Sequence, residues 1–220
     1  MISSLPDTRQ QLLDTVEQSY ANNSQLYRFM ADSASLEQMV TYLYWDSQQP
    51  VFRDYIARWL PKASGPLREQ LELHIEEEQD HAQLFSRMME GLLGRVSIDR
   101  SLDTERLAVL NYTFSPQCAE NENFGFFCGG FFATELMASK RYDQLIAGFD
   151  RLDIPRGEIE FIVIHSDCEP AHSMQALDDL LMPLIAESGN NLEQVEAGIE
   201  DRLQRSATFI KWYEKTKLGL

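Results

Sequence analysis

The spelling His-x3-Glu-x2-His occurs twice in this chain, as His74-Ile75-Glu76-Glu77-Glu78-Gln79-Asp80-His81 and as His165-Ser166-Asp167-Cys168-Glu169-Pro170-Ala171-His172. On an α-helix, offsets of four and three residues put all three side chains on one face, two turns long. All four histidines of the 220 residues fall in these two segments. Scattered core or surface histidines would rarely coincide in that way. The pair therefore predicts two helices brought face to face around metal, with packing or surface histidines as the competing reading.

Imidazole nitrogen together with several carboxylates suits iron or manganese, whereas a structural zinc site would show cysteines. Cys118, Cys128 and Cys168 are an odd number in no zinc or disulfide spacing, which fits a reducing compartment. Each segment also contains Glu-x2-His, in Glu78/His81 and in Glu169/His172. Helical di-iron sites use two such pairs plus one carboxylate from each of two other helices. Glu135 is the candidate in the middle of the chain, because it stands alone in an apolar helix where an unpaired carboxylate is costly. An ion pair with Lys140 or Arg141 is its weaker reading, since offsets of five and six residues point away. Asp46, after Trp45, is the candidate on the early helix; a solvated Asp46, or Tyr44 in its place, is the alternative. The candidate ligands are thus Asp46, Glu78, His81, Glu135, His165, Glu169 and His172, with His74 either a ligand, a residue behind the ligands or a surface residue. Four carboxylates offset the charge of two divalent ions, which bridging acids hold about 3.5–4 Å apart.

The remaining periodicity is helical, and no strand-like alternation competes. Residues 7–31 predict a helix with Asp7 as cap and a break near Asn22-Asn23. Residues 36–60 predict a second, capped by Ser35 and kinked at Pro50. Pro66 suits the first turn of a long third helix that carries the first motif and ends at Gly91–Gly94. A short helix is expected around Asp103–Leu110. Phe124 to Ser139 reads as a buried helix whose glycines allow close approach of a backbone or a ligand. There Phe124, Phe127 and Phe131 are either a substrate wall or plain core packing, and Lys140, Arg141 or another cation is a candidate for a substrate carboxylate. Residues 156–187 carry the second motif, where Pro170 denies the helix one hydrogen bond and distorts it or fits it to the curvature of the bundle. Residues 192–217 close the chain with an amphipathic helix. The expected fold is an all-α bundle of about seven helices, forming one domain over residues 1–220.

A net charge of −16 excludes nucleic acid and anionic membranes as expected partners. No run of about 18 apolar residues exists, and the first seven residues lack the basic and apolar regions of a signal peptide, so a cytoplasmic location is expected. Aromatic helix faces are compatible with a homodimer, which no sequence feature establishes.

The helix order, the segment Glu78-Gln79-Asp80-His81-Ala82-Gln83-Leu84-Phe85, the solitary Glu135, the His165-x3-Glu169-x2-His172 helix and the closing amphipathic helix together resemble the haem-oxygenase-like di-iron oxidases and oxygenases, over roughly residues 10–215. The resemblance implies three ligands from the late motif, Glu135 as the mid-chain glutamate ligand and His81 as the early histidine. It also implies two Fe ions, O2 as cosubstrate, an external electron donor and a small organic acid, amino acid or related metabolite as substrate. The implied chemistry is N-oxygenation, C–C cleavage or desaturation through a peroxo di-ferric species. The family's iron-binding third helix is often disordered without metal, in line with the distortion that Pro170 suggests. Two departures stand out: Glu169 replaces a more usual aspartate, and His74 stands where some members place a glutamate.

Other readings compete. A ferritin-like di-iron protein shares the paired Glu-x2-His logic, although His165 and the helix count lean against it. A thiaminase-like hydrolase on the same fold would use Cys128 or Cys168 as nucleophile without metal and leave both motifs unexplained. Haem oxygenase itself needs a histidine near the N-terminus, and a helical binding module would take up no iron.

Overall fold

The computed structural model describes residues 4–46, 52–100 and 123–219, and these form helices with no strand among them. Helix α1 (Leu5–Asn23) starts at Ser4, whose Oγ accepts from Asp7 N–H and donates to Asp7 Oδ2. The cap is thus Ser4 rather than the expected Asp7: Asp7 sits in the first turn, where its charge favours the helix N-terminus. The expected break falls at Ser24, after which α2 (Gln25–Asp32) follows. Helix α3 (Leu36–Asp46) opens with a reciprocal box in which Ser35 Oγ accepts from Gln38 N–H and Gln38 Oε1 accepts from Ser35 N–H. Helix α4 (Phe52–Trp59) comes next. The predicted kink at Pro50 and the short helix around Asp103–Leu110 lie outside the described residues, as does Cys118.

The predicted third helix is two. Helix α5 (Pro66–Glu77) and helix α6 (His81–Leu93) are separated by a turn at Glu78, Gln79 and Asp80, inside the first motif. Four acids fall at this point (Glu76, Glu77, Glu78, Asp80). Asp80 lies three and four residues after Glu77 and Glu76, like-charge spacings that disfavour one continuous helix, and it is favourable at the start of α6; ending α5 leaves Glu76 and Glu77 at its negative end.

Helix α7 (Phe124–Arg151) runs through the middle of the molecule, capped by Asn123 Oδ1, which accepts from Phe126 N–H. Its glycines serve a backbone approach. A Cβ on Gly129 would stand 2.1 Å from the Val195 carbonyl oxygen, and one on Gly198 would stand 2.0 Å from that of Phe126. Only paired glycines let α7 and α10 (Gly189–Tyr213) cross this closely. Between them in sequence come α8 (Glu160–Gln175), a wider π-type turn over Ala176–Leu181, and α9 (Met182–Glu187). Helix α8 passes through Pro170 without ending, and the π-type turn begins six residues further on, at Ala176.

Two apolar clusters fill the bundle. One gathers Leu12, Val16, Trp59, Leu71, Phe127, Phe132 and Leu177; the other gathers Met30, Tyr42, Trp45, Leu145, Phe149, Ile162 and Phe209. Helix α7 contributes to both. Near their junction it places Glu135, 2% exposed, and this polar layer is where the two motifs arrive. No helix among the described residues is long and apolar enough to cross a membrane.

Candidate metal centre

The two motifs meet antiparallel, so the first histidine of each faces the second of the other. His74 and His172 have ring centres 5.1 Å apart, and His81 and His165 are 4.4 Å apart. Each motif thus sends one histidine to each of two groups, although by spacing its three side chains share one helix face. The first group is His74, Glu135 and His172; the second is Glu78, His81 and His165. Within each, one ligand atom per residue lies within 4.8 Å of the others. The turn between α5 and α6 separates His74 from His81, and the length of α8 separates His165 from His172.

Glu78 stands between the groups. Its Oε1 is 3.8 Å from His74 Nε2, and its Oε2 is 2.9 Å from His81 Nδ1. Glu135 Oε1 lies 3.8 Å from His74 Nε2 while its Oε2 lies 3.8 Å from His172 Nδ1. Glu169 Oε2 is 3.9 Å from His172 Nδ1, and the Glu169 and Glu135 carboxyls contact each other. Burial first, and then repulsion between them, pushes the Glu135 carboxyl well above the usual range. Burial likewise raises Glu169. At Glu78 burial works the other way from its neighbours: contact with His81 and the field of the surrounding imidazoles hold its carboxyl below the usual range.

Two of the histidines are held neutral by burial. Burial lowers His74 and His165 to about 4, so both are neutral at pH 7, the form that offers a lone pair to a metal. Contact with Glu78 raises His81. His165 Nδ1 is 2.6 Å from the Phe161 carbonyl oxygen. A carbonyl only accepts, so the proton sits on Nδ1 and Nε2 keeps the lone pair. Phe131 stands edge-on to His74 at 5.1 Å, and Phe161 covers His165 at 4.0 Å. These rings shield the nitrogens from water.

Buried polar atoms test whether metal belongs here. Glu135 Oε2, Glu169 Oε2 and His172 Nδ1 are buried and make no hydrogen bond. Orphaned donors and acceptors converging in one buried layer are costly unless a cation takes their place. The set is nitrogen and carboxylate oxygen without sulfur, which fits iron.

Other predicted residues lie elsewhere. Asp46 belongs to neither group; its Oδ1 is 3.4 Å from Arg141 Nη1. Lys140 points its Nζ at Glu17 on α1, 2.9 Å away, and so is not placed to hold a substrate at the centre. Of the phenylalanines, Phe127 stacks on Trp59 at 5.1 Å and Phe124 packs beside it, as core, while Phe131 touches His74. Cys128 is fully buried and Cys168 partly so, and burial raises both thiols, opposite to an activated nucleophile.

One residue escaped the sequence reading. Glu77 Oε2 lies 3.3 Å from His172 Nε2. Glu77 stands three residues after His74 on α5 and so shares its face, a spacing that could have found it, but within a run of acids it reads as solvated. A cavity of about 20 Å³ opens beside it, lined by Leu71, His74, Phe131, His172 and Gln175.

The model of a family described as iron-containing redox enzymes matches residues 48–207. The chain belongs to that family. An iron-containing redox enzyme of this family has the haem-oxygenase-like all-α bundle, as the resemblance implied, and the span includes both motifs and Glu135. No curated protein matches the chain.

Proposed function

We propose that this iron-containing redox enzyme is a non-haem di-iron, O2-dependent oxidase or oxygenase acting on a small organic acid, amino acid or related metabolite, with electrons from an external donor. The observation that carries the reading is Glu78, whose two carboxylate oxygens face one histidine group each. A carboxylate placed so can hold two ions at bridging distance. His74, Glu135 and His172 would hold one iron and His81 and His165 the other, with Glu78 and Glu169 between them.

Iron, when bound, supplies the electron-transfer chemistry by which O2 is reduced. The chain itself supplies the rest. Phe161 O keeps the His165 proton on Nδ1 and aims Nε2 at the centre. Glu77 faces Nε2 of His172, leaving Nδ1 toward Glu135 and Glu169. Neutral His74 and His165 need lose no proton on ligation. Phe131 and Phe161 keep water from the histidine pairs. The small cavity between Phe131, His74 and His172 has room for about one water-sized molecule, which suits O2 reaching this edge of the centre.

Anaerobic titration of metal-free protein with ferrous iron, followed by O2 mixing under optical detection, tests the reading without knowledge of the substrate. Two irons per chain and a transient visible absorption, with or without added amino or fatty acids, are the expected result. Absence of iron binding would overturn it.

A further inference from the structure

A second cavity, separate from the metal centre, lies between α1, α2, α7 and α10. It measures about 20 Å³, above the roughly 10–15 Å³ that one water requires. Its wall is mixed: Tyr27, Thr134, Arg141, Arg202 and Ser206 bring hydroxyls and two cations among apolar residues such as Met137, Leu203 and Ile210, and no aspartate or glutamate lines it. In a chain of net charge −16 this is an unusual place.

The two guanidiniums are fixed rather than wandering. Arg202 is 4% exposed, and its Nε donates to Thr134 Oγ1 at 2.8 Å, while Thr134 Oγ1 itself donates to the Gly130 carbonyl at 2.8 Å. Arg141 rests against Asp46 at 3.4 Å, donates from Nη2 to Tyr142 Oη at 3.1 Å and has its guanidinium 4.8 Å from the Tyr142 ring centre. The fields of both arginines reach the buried Tyr27 hydroxyl in the same wall. A guanidinium carries only donors, in a planar fork that matches two carboxylate oxygens. Low surrounding dielectric strengthens that attraction relative to water.

We propose that this cavity is a binding site for a small carboxylate of formate size, held between Arg141 and Arg202. Thr134 and Arg141 stand one and six positions from Glu135 on α7, along a flank turned about 100° from the one that faces the metal. The site therefore shares a helix with the metal centre without sharing its ligands. Binding needs no iron.

The test uses metal-free full-length protein and thermal unfolding against sodium formate, acetate and sulfate at ionic strength matched with sodium chloride. Saturable stabilisation by formate is expected, on the order of 5–10 °C at a hundredfold excess over Kd, with acetate and sulfate weaker because they are larger. Arg202→Gln should abolish the shift. Because Arg202 is buried and its loss also tests folding, Ala207→Leu is the second variant: it fills the half-exposed mouth of the cavity and keeps both arginines. Its shift should fall at least tenfold. A shift absent in the wild type, equal for chloride, or unchanged in Ala207→Leu would overturn the proposal. Because no iron or turnover enters the measurement, its failure is separate from failure of the di-iron reading.

Discussion

The imidazole of His74 meets that of His172 at 5.1 Å, although the chain places them in different motifs. This contact, repeated by His81 and His165, makes the two motifs one unit. Loss of any one histidine should therefore affect a centre to which both helices contribute. His172→Ala and Glu135→Ala are expected to abolish O2-dependent turnover with far-UV circular dichroism unchanged. Full activity in either variant would sink the assignment.

Glu78 faces both groups, so its removal should do more than empty one position. In Glu78→Ala, ferrous titration is expected to show one of the two irons weakened at least ~100-fold, since even residues behind the ligands are worth 10–100-fold. Glu78→Asp, one methylene shorter, should retain one iron and lose the other. Two full-affinity irons in Glu78→Ala would remove the bridging role.

Glu77 is partly exposed and touches His172 by its carboxylate. Glu77→Gln should weaken iron binding about 10-fold through the orientation of His172. Its effect on metal-free stability should stay within about 0.5 kcal/mol, as for an exposed substitution. Equal iron affinity in variant and wild type, measured by competition with a chelator, would show that Glu77 is only a solvated acid.

The α7–α10 crossing gives a prediction about stability alone. Gly129→Ala should cost about 3 kcal/mol, because its Cβ has no room beside the Val195 carbonyl and backbone cannot rotate aside as a side chain can. Adding Gly198→Ala should cost less than the same change made alone. The first methyl already pushes the helices apart, and sites sharing one displacement are not additive. Urea unfolding of the two single variants and the double variant measures this.

Metal should also tie the two halves of the bundle together. Ferrous iron added anaerobically at 100 Kd is expected to stabilise the chain by about 2.7 kcal/mol, and a chelator should reverse this. A melting temperature indifferent to iron would argue that the buried nitrogen and oxygen atoms are satisfied without it.

Much of this site can be read from the sequence because its residues are rare and their spacing is physical. Four histidines in two identical spellings mark the two segments that meet, and one carboxylate in an apolar helix marks Glu135 as the buried acid beside them. The crossing of the motifs is not legible in the same way. Periodicity tells which side chains share a helix face, but not that the helix stops at Glu77 and restarts at His81, where like charges three and four apart meet and Asp80 favours a new helix start. Glu77 shares the face of His74 by spacing, a relation masked by the run of acids around it. Asp46 illustrates the opposite error: a carboxylate after an apolar stretch suggests a ligand, whereas Arg141, far along the chain, meets it. Sequence spacing carries no information about such a distant partner.

The paired glycines of α7 and α10 lock one side of the bundle backbone against backbone. On the other side the first motif hangs on a three-residue turn between two shorter helices. Glu135 is carried on the locked side, while His74 and His81 flank the turn and Glu78 lies in it. Glu78 therefore serves twice, as part of the joint between α5 and α6 and as the carboxylate that faces both histidine pairs, so nothing in that joint can change without changing the centre.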